Sequence, residues 1–268
     1  MSTNNQPVVL AIAGFDPSAG AGVLADIKTI SAFGCYGLGV VTSLTMQNTR
    51  QVLATRHQSG ETIAGQLQPL FADFEIAAVK TGMLPTVEAV KEVAAILSTS
   101  AVPHIVVDPV ARSTSGYDLI SRDALAALIN LLFPLSSVVT PNWNEAERIT
   151  GMAVHDETSA EQAARAILEL GPRAVLVKGG GADAASATDL LVDSSGAAFY
   201  RSPKIRSRNT HGTGCTMASA LACLLARGRS MRESIPTAKQ YICEAILSAP
   251  GLGGGQGPLN HFPLEWNL

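Results

Sequence analysis

Residues 209–228, NTHGTGCTMASALACLLARG, form a glycine-rich turn that leads into an apolar helical pattern. Gly212 and Gly214 flank Thr213, and Cys215 stands where the helix is expected to begin. The first amides of a helix lack partners within it, and the helix dipole is positive there. Such a turn binds anions, phosphate above all, and it lowers the pKa of a cysteine placed in it. A second interpretation stays open, in which the turn only caps the helix and Cys215 is a small buried side chain.

A second glycine-rich stretch, AGFDPSAGAGVLAD at residues 13–26, follows a short apolar strand pattern. It contains Gly20-x-Gly22-x-x-Ala25, which is similar to the fingerprint of dinucleotide-binding folds. In that fingerprint the first glycine ends the strand, and an acidic residue closes the second strand. Here six residues separate Gly20 from the strand pattern, and the next strand pattern carries no acid. We therefore interpret the stretch as a loop over a pocket.

Within this loop, Gly14 permits a tight exit from the strand, and Asp16-Pro17 predicts a turn. Asp26 lies on the first turns of the following helix, where its carboxylate is able to face the same pocket. For an isolated aspartate the usual interpretation is a solvated helix position. A Walker A loop is not indicated, because no G-K-[ST] follows the glycines.

A third candidate site combines oxygen ligands with a lysine. Asn142 and Glu145 stand three residues apart at a predicted helix start, where they suit a hydrated Mg²⁺. The same spacing is a capping box, and both interpretations hold together. Asp108 follows an apolar strand pattern and is a candidate for orienting metal or phosphate. Lys178 ends another strand pattern, where it is placed to meet phosphate or substrate, and Lys80 is a weaker candidate of the same kind. The alternative for both is a lysine that is merely exposed at the end of a strand.

The elements that position these residues alternate between strand and helix patterns. Apolar strand patterns occupy 8–13, 36–49, 77–83, 104–111, 137–142 and 174–179, and helical patterns occupy 21–34, 60–73, 85–97, 121–132, 144–150, 157–170, 213–227 and 231–248. This alternation predicts an α/β fold with a mainly parallel sheet and helices on both faces. Residues 189–193 and 197–201 predict an antiparallel hairpin at one edge. We expect one domain over 1–268, with 251–268 as a surface segment whose GLGGGQG run is flexible.

Composition excludes several classes of protein. The chain has 268 residues, 47% of them apolar, which suits a large buried core. A net charge of −3 argues against a nucleic-acid partner. No apolar stretch approaches the roughly 18 residues of a membrane span, and the first residues lack a signal-peptide pattern. None of the four cysteines forms a C-x-x-C pair, which argues against a structural zinc or a redox dithiol. From the missing membrane-span and signal-peptide patterns we expect a cytoplasmic protein with reduced thiols and no membrane partner.

Taken together, AGFDPSAGAGVLADIKT and NTHGTGCT resemble the hydroxymethylpyrimidine/phosphomethylpyrimidine kinases of thiamine biosynthesis, which belong to the ribokinase-like superfamily. TMQNT, KTGML, VDPV, TPNWNEA and VKGG occur between them in the family's order, so the resemblance spans nearly the whole chain. It implies a three-layer ribokinase-like fold, with ATP and Mg²⁺ as cofactors. It also implies phosphorylation of 4-amino-5-hydroxymethyl-2-methylpyrimidine and then of its monophosphate to the diphosphate, by an enzyme that forms a homodimer.

The resemblance assigns catalysis to the turn formed by Gly212, Thr213, Gly214 and Cys215. Many superfamily members have aspartate at the position of Cys215, which makes this cysteine the candidate base toward the substrate hydroxymethyl group. Its alternative role is to line the pocket.

The resemblance also assigns binding residues. Gln47 is expected to pair with the aminopyrimidine, because a primary amide both donates and accepts hydrogen bonds. The alternative for Gln47 is a loop residue that caps its own backbone, and for the apolar positions it is ordinary core packing. The other assignments are Gly14, Asp26, Met83 and Val110 for the substrate, Asn142, Lys178 and Thr210 for the nucleotide, and Glu145 and Asp108 for the metal.

Three other functions are compatible with parts of this sequence. The nearest is a pyridoxal kinase of the same fold, against which Gln47 favours the pyrimidine. A non-catalytic ligand-binding or regulatory protein is the second, and the retained Gly212, Gly214, Cys215 and Glu145 argue against it. An NAD(P)-dependent dehydrogenase is the third, and the missing acid after the glycines argues against it.

Overall fold

The computed structural model describes residues 6–113, 116–180 and 186–263. The last five residues of the predicted surface segment 251–268 therefore lie outside the described residues. Its strands are β1 (Val8–Phe15), β2 (Tyr36–Gln47), β3 (Val52–His57), β4 (Ile76–Thr81), β5 (His104–Val107), β6 (Val138–Val139), β7 (Ala174–Gly180), β8 (Ser186–Asp193) and β9 (Gly196–Pro203). Its α-helices are α1 (Gly22–Ala32), α2 (Gly60–Asp73), α3 (Val87–Thr99), α4 (Arg122–Leu131), α5 (Trp143–Thr150), α6 (Glu157–Leu168), α7 (Thr213–Ala226) and α8 (Met231–Leu247). No helix in these three ranges is long and apolar enough to cross a membrane.

All of these strands join one sheet in the order β3-β2-β1-β4-β5-β6-β7-β8-β9. The pairs from β2 through β7 are parallel, whereas β3, β8 and β9 pair antiparallel with their neighbours. The prediction of a mainly parallel sheet with a late antiparallel hairpin is therefore confirmed.

The opposite edge of the sheet differs from the prediction. The single strand pattern at 36–49 is instead followed by a turn and by β3, which returns antiparallel to β2. The Asn48 side chain makes the turn, because its Oδ1 accepts the backbone N–H of Arg50 at 2.9 Å and of Gln51 at 3.2 Å. This is a side-chain-to-backbone turn without glycine, which a search for glycine and proline does not find.

Two apolar layers cover the sheet. In β1, Val9 and Ala11 pack toward α1, α7 and α8, while Leu10 and Ile12 pack toward the layer that contains α2, α3, α4 and α6. All four residues are fully buried. A strand covered on both faces reads as a continuous apolar run, which explains why the pattern at 8–13 does not alternate.

The C-terminal glycine run differs from the expected flexible surface segment. Gln256 N–H donates to the Thr49 carbonyl at 2.8 Å, and the Gly257 carbonyl accepts from His211 N–H at 3.1 Å. A Cβ at Gly255 would collide with the Thr49 carbonyl, and Leu259 is buried. The described part of the segment is therefore joined to the loop after β2 and to the residue before the anion turn, contacts that the expectation of a flexible surface segment does not include. Here glycine permits the close approach of two backbones.

Candidate active site

A cavity of about 880 Å³ opens at the carboxyl ends of the central strands, beside the start of α7. Gly14 reaches it from the end of β1, Met83 from the loop after β4, Asp108 from the loop after β5, and Lys178 from β7. The carboxyl ends of parallel strands share one edge of a sheet, which is where ligands of open α/β folds bind.

The predicted anion turn lies in the wall of this cavity. Gly212 has a φ of +85° and is the N-cap of α7, so no cap side chain covers the first amides of the helix. The Thr210 carbonyl holds the turn by accepting the Thr213 N–H at 3.3 Å and the Thr213 hydroxyl at 2.7 Å. Thr210 and every residue from Gly212 to Cys215 line the cavity. Unpaired amides at a helix start, open to a cavity, suit a phosphoryl group.

The thiol of Cys215 differs from the expectation of a lowered pKa. Desolvation by the surrounding protein raises the pKa of this thiol to about 11, although the Lys80 ammonium and the Gly22 N–H act in the opposite direction. The prediction from the helix start alone is therefore wrong. Loss of water disfavours the charged thiolate, and the position of Cys215 at a helix start does not report how strongly the thiol is desolvated.

A buried ion pair, Asp108–Lys178, borders the anion turn. Lys178 Nζ lies 2.6 Å from Asp108 Oδ1, which also accepts the Thr140 hydroxyl at 3.1 Å. A Cβ at Gly214 would lie 3.3 Å from Lys178 Nζ, so the ammonium stands directly over the turn. A side chain at this position would crowd the ammonium, and with glycine there the turn combines backbone amides with a full positive charge.

Asn142 and Glu145 form the predicted capping box of α5. Glu145 N–H donates to Asn142 Oδ1 at 2.9 Å, and Asn142 N–H donates to Glu145 Oε2 at 2.8 Å. Burial raises the pKa of the Glu145 carboxyl to about 7, partly offset by the nearby Lys178. Both side chains also line the cavity. The capping interpretation is therefore correct, and it leaves Glu145 beside Asp108 at the cavity wall.

A second ion pair, Asp26–Lys80, is sealed from solvent, and neither side chain lines the cavity. Lys80 Nζ donates to both carboxylate oxygens of Asp26, at 2.9 and 2.7 Å. Ser219 of α7 adds a hydroxyl hydrogen bond at 2.8 Å. The expectation that the Asp26 carboxylate faces the pocket is therefore wrong. Helix α1 turns this residue inward against β4 and α7, where the carboxylate requires a partner charge.

Polar and apolar residues meet at the other end of the cavity, where Gln47, Gly14, Met83 and Val110 contribute to the lining. Met83 closes tightly on the first loop, since a Cβ at Gly14 would lie 2.9 Å from its sulfur. This end presents one amide between apolar surfaces, an arrangement that suits a flat polar ring.

Comparison with known proteins identifies the family. The family model for phosphomethylpyrimidine kinase matches residues 16–260. The chain belongs to the phosphomethylpyrimidine kinase family. It is 44% identical over 255 residues to a hydroxymethylpyrimidine/phosphomethylpyrimidine kinase of Streptomyces coelicolor, covering 95% of this chain and 94% of that protein. It is 48% identical over 256 residues to a thiamine biosynthesis bifunctional protein of Geobacter sulfurreducens, covering 95% of this chain but only 52% of that longer protein.

Solved structures of kinases share the fold of this family member. The phosphomethylpyrimidine kinase of Clostridium difficile superposes with a TM-score of 0.80 at 39% identity, over 90% of this chain and 100% of that chain. An ADP complex of Bacillus subtilis pyridoxal kinase superposes with a TM-score of 0.90 at 32% identity, over 98% of this chain and 100% of that chain. These neighbours confirm the ribokinase-like architecture. ADP in such a complex also supports ATP as the phosphoryl donor of the fold.

Sequence reasoning on this family member missed the link between its two glycine-rich loops. His211 Nε2 lies 2.8 Å from Asp16 Oδ2, and both residues line the cavity. Asp16 was interpreted only as a turn residue, and His211 stood unassigned inside the NTHGTGCT motif. The two residues are 195 positions apart, so no local pattern signals their contact.

Two arginines of the cavity also escaped the sequence analysis. Arg112 and Arg148 both reach Asp118, at 3.0 and 3.2 Å, and both contribute to the cavity lining. Their sequence surroundings contain no motif that distinguishes them from other exposed arginines. Among the described residues, no group of three or more His, Cys, Asp or Glu side chains is arranged to hold a metal ion by itself.

Proposed function

We propose that this chain transfers the γ-phosphoryl group of ATP to the hydroxymethyl oxygen of 4-amino-5-hydroxymethyl-2-methylpyrimidine, and then phosphorylates the monophosphate to the diphosphate. One observation carries the proposal. One cavity is lined both by Gln47 and Met83 and by the anion turn from Gly212 to Cys215, which the Lys178 ammonium overlies. Membership of the phosphomethylpyrimidine kinase family supports this choice of substrate.

The chemistry follows from the arrangement of the cavity. The substrate hydroxyl oxygen attacks the γ-phosphorus, the bond from this phosphorus to the β–γ bridging oxygen breaks, and ADP leaves. The hydroxyl proton passes to the Cys215 thiolate where this residue is the base, and otherwise to water. In the second reaction an oxygen of the monophosphate attacks in the same way. The backbone amides of the turn and the Lys178 ammonium stabilise the charge on the transferred group. Gln47 orients the ring by accepting from its amino group and donating to its adjacent nitrogen.

The nucleotide side has residues that fit a hydrated Mg²⁺. Asp108 and Glu145 present buried carboxylates at the cavity wall, and burial raises the pKa of Glu145 to about 7, as expected for a carboxylate without enough positive charge nearby. Two carboxylates leave most coordination positions to water and phosphate oxygens, which is how Mg²⁺ is usually held. When bound, the ion neutralises charge on the nucleotide phosphates. Asn142 and Thr210 are the further nucleotide contacts that we propose.

The pH dependence of kcat distinguishes the two roles of Cys215, catalytic base and cavity lining. If the Cys215 thiolate is the base, log kcat rises with pH between 7 and 10. The thiol has a pKa of about 11, so the fraction of thiolate grows over this range. Replacing Cys215 with serine then lowers kcat strongly and removes this rise, while substrate affinity stays close to that of the wild type. A serine variant with unchanged turnover and an unchanged pH profile would limit Cys215 to lining the cavity.

The first experiment measures ATP consumption and the phosphorylated products with Mg²⁺ present. Hydroxymethylpyrimidine, its monophosphate and pyridoxal are compared in parallel. Turnover with both the alcohol and the monophosphate supports the two-step kinase. Absence of turnover with all three would contradict the proposal and favour a binding protein.

Pyridoxal phosphorylation is the second candidate, and one observation favours it. Pyridoxal kinases of Staphylococcus aureus and Bacillus subtilis superpose on this chain with TM-scores of 0.88 and 0.90. Pyridoxal also carries a hydroxymethyl group on a six-membered nitrogen ring. Turnover with pyridoxal alone would keep the anion turn in its role but overturn the role proposed for Gln47.

The homodimer and the cytoplasmic location stay predictions. We expect the dimer contact on the β2–β3 hairpin, where Leu44, Met46 and Leu53 are exposed apolar side chains. Light scattering of the wild type and of Leu53→Lys checks this, since a charge in an apolar contact favours the monomer. The free cysteines of the described residues are compatible with a reducing compartment.

A further inference from the structure

Asp16 is the centre of a network of hydrogen bonds that shapes the first glycine-rich loop. Its Oδ1 accepts the Ser18 N–H at 2.8 Å and the Ser18 hydroxyl at 2.7 Å. Its Oδ2 accepts the Ala21 N–H at 3.0 Å. Between these two residues Ala19 adopts a φ of +56°, a conformation that an alanine rarely takes. The carboxylate therefore supports a turn that the local sequence does not favour.

The same carboxylate reaches the second glycine-rich loop. His211 Nε2 contacts Asp16 Oδ2 at 2.8 Å, and the two side chains are only 12% and 4% exposed. A Cβ at Gly20 would collide with the His211 ring, and a Cβ at Gly212 would collide with the Gly20 carbonyl. The two loops therefore interlock closely at the residue that precedes the anion turn.

Gln47, at the end of β2, lines the same cavity as Asp16 and His211. Burial by itself would raise the pKa of the Asp16 carboxyl, but hydrogen bonds from His211 and Ser18, together with the His211 charge, bring it to about 2. The carboxylate is therefore ionised throughout the pH range of enzyme assays. It borders the cavity that contains the Gln47 amide, and it contacts the histidine that precedes the anion turn.

We propose that Asp16 is a positioning residue that sets the spacing between the ring-binding end of the cavity and the anion turn. The proposal rests on the proposed kinase function. In phosphoryl transfer the attacking oxygen must lie close to the phosphorus and in line with the leaving oxygen, and a misplacement of about 1 Å costs up to a hundredfold in rate. Asn142 and Lys178 belong to other segments of the sheet edge, so we expect the contact to affect turnover more than ATP binding.

The decisive variant is Asp16→Asn. It keeps the size of the side chain and one acceptor oxygen, but it removes the charge that faces His211 and Ala21. We expect kcat to fall by at least about tenfold, while the KM for ATP changes less than about twofold. The matched control is Asp156→Asn, because Asp156 accepts the same pair of serine hydrogen bonds, from Ser159, at the N-terminus of α6. This exposed residue does not line the cavity, and the control keeps its kcat.

A double-mutant cycle tests whether the contact itself is responsible. Asp16→Asn and His211→Gln are each combined with the wild-type partner and with one another. Because both variants break one contact, the double variant is expected to lose little more kcat than either single variant. Additive losses would overturn the proposal. A lowered unfolding midpoint with unchanged kcat per folded enzyme would also overturn it, because it would limit Asp16 to stabilising the fold.

Hydrogen exchange tests the contact without any turnover. In Asp16→Asn, the amides of residues 14–22 and 209–215 are expected to exchange faster than in the wild type, with the remainder of the chain unchanged. Unchanged exchange in both loops would overturn the proposed contact. If the wild type turns over no pyrimidine, the kinase proposal fails, and this exchange experiment still decides whether Asp16 joins the two loops.

Discussion

Two aspartate–lysine pairs lie near the cavity, and they differ in what they face. Asp26–Lys80 and Asp108–Lys178 have closest distances of 2.7 and 2.6 Å, and each aspartate accepts one further hydroxyl. The first pair has no exposed surface, while Lys178 is 12% exposed at the cavity wall. The same chemical unit therefore holds the core together in one place and presents a charge to ligands in the other.

The difference arises from what covers each lysine. Both lysines stand within two residues of the carboxyl end of a strand. Lys80 of β4 is covered by α1 and α7, which bring Asp26 and Ser219 to it, whereas Lys178 of β7 lines the cavity. A buried pair adds little net stability compared with apolar residues, but removing one partner leaves an uncompensated charge. A pair at a cavity wall is still accessible to a phosphate. Burial, rather than residue type, therefore separates the sealed pair from the pair that the cavity reaches.

The largest expected effect comes from Lys80→Met. The variant leaves the Asp26 carboxylate buried without its counter-charge, and we expect the free energy of unfolding to fall by about 3–5 kcal/mol. Urea denaturation measures it, with Lys91→Met on the exposed face of α3 as the control. The double variant Asp26→Asn/Lys80→Met should be more stable than Lys80→Met. A loss below about 1 kcal/mol in the single variant would contradict a structural role for the sealed pair.

Lys178→Met should act on turnover instead. It removes the charge over the anion turn, and we expect kcat to fall about a hundredfold, as for the loss of one donor to a developing anion. Its stability should fall less than that of Lys80→Met, because water from the cavity can solvate Asp108. Steady-state kinetics and urea denaturation on the same samples measure both. A kcat within about threefold of the wild type would remove Lys178 from the phosphoryl site.

Ser219→Ala tests the contribution of one hydrogen bond to the sealed Asp26–Lys80 pair. The variant removes the hydroxyl that donates to Asp26 at 2.8 Å. A buried hydrogen bond to a charged group contributes about 1.5–3 kcal/mol, so the unfolding free energy should fall by that amount while kcat per folded enzyme stays constant. Ser98→Ala, on an exposed position of α3, is the matched control. A loss of turnover without a loss of stability would indicate that the sealed pair acts on the reaction.

Thr140→Val is the matching change on the cavity side, and it has the smallest expected effect. Valine keeps the shape of threonine but cannot donate to Asp108 Oδ1, which Thr140 reaches at 3.1 Å. Lys178 still holds the carboxylate, so we expect a fall of about threefold in kcat and less than about 1 kcal/mol in stability. The kinetic and denaturation measurements are the same as for Lys178. A larger effect on stability than on turnover would indicate that Asp108–Lys178 stabilises the fold, as Asp26–Lys80 does.

Local patterns in the sequence were sufficient for much of the fold. The apolar run of β1, the capping box at Asn142 and Glu145, and the glycine-bounded start of α7 each depend on residues within a few positions of one another. The hairpin turn at Asn48 was missed, because its signal is one side-chain acceptor rather than a glycine. The contacts of the C-terminal glycines were missed, because sequence does not distinguish a flexible glycine from one that another backbone approaches.

By itself, the sequence determined the alternation of strands and helices, the anion turn from Gly212 to Cys215, and the family to which these motifs belong. Tertiary structure alone decided which charged residues face the cavity. Asp26 meets Lys80 across 54 positions and Ser219 across 193, so their sealed network follows from the packing of α1, β4 and α7. The same holds for the raised pKa of Cys215. Desolvation and charge pairing depend on distances in space, whereas a sequence pattern reports only distances along the chain.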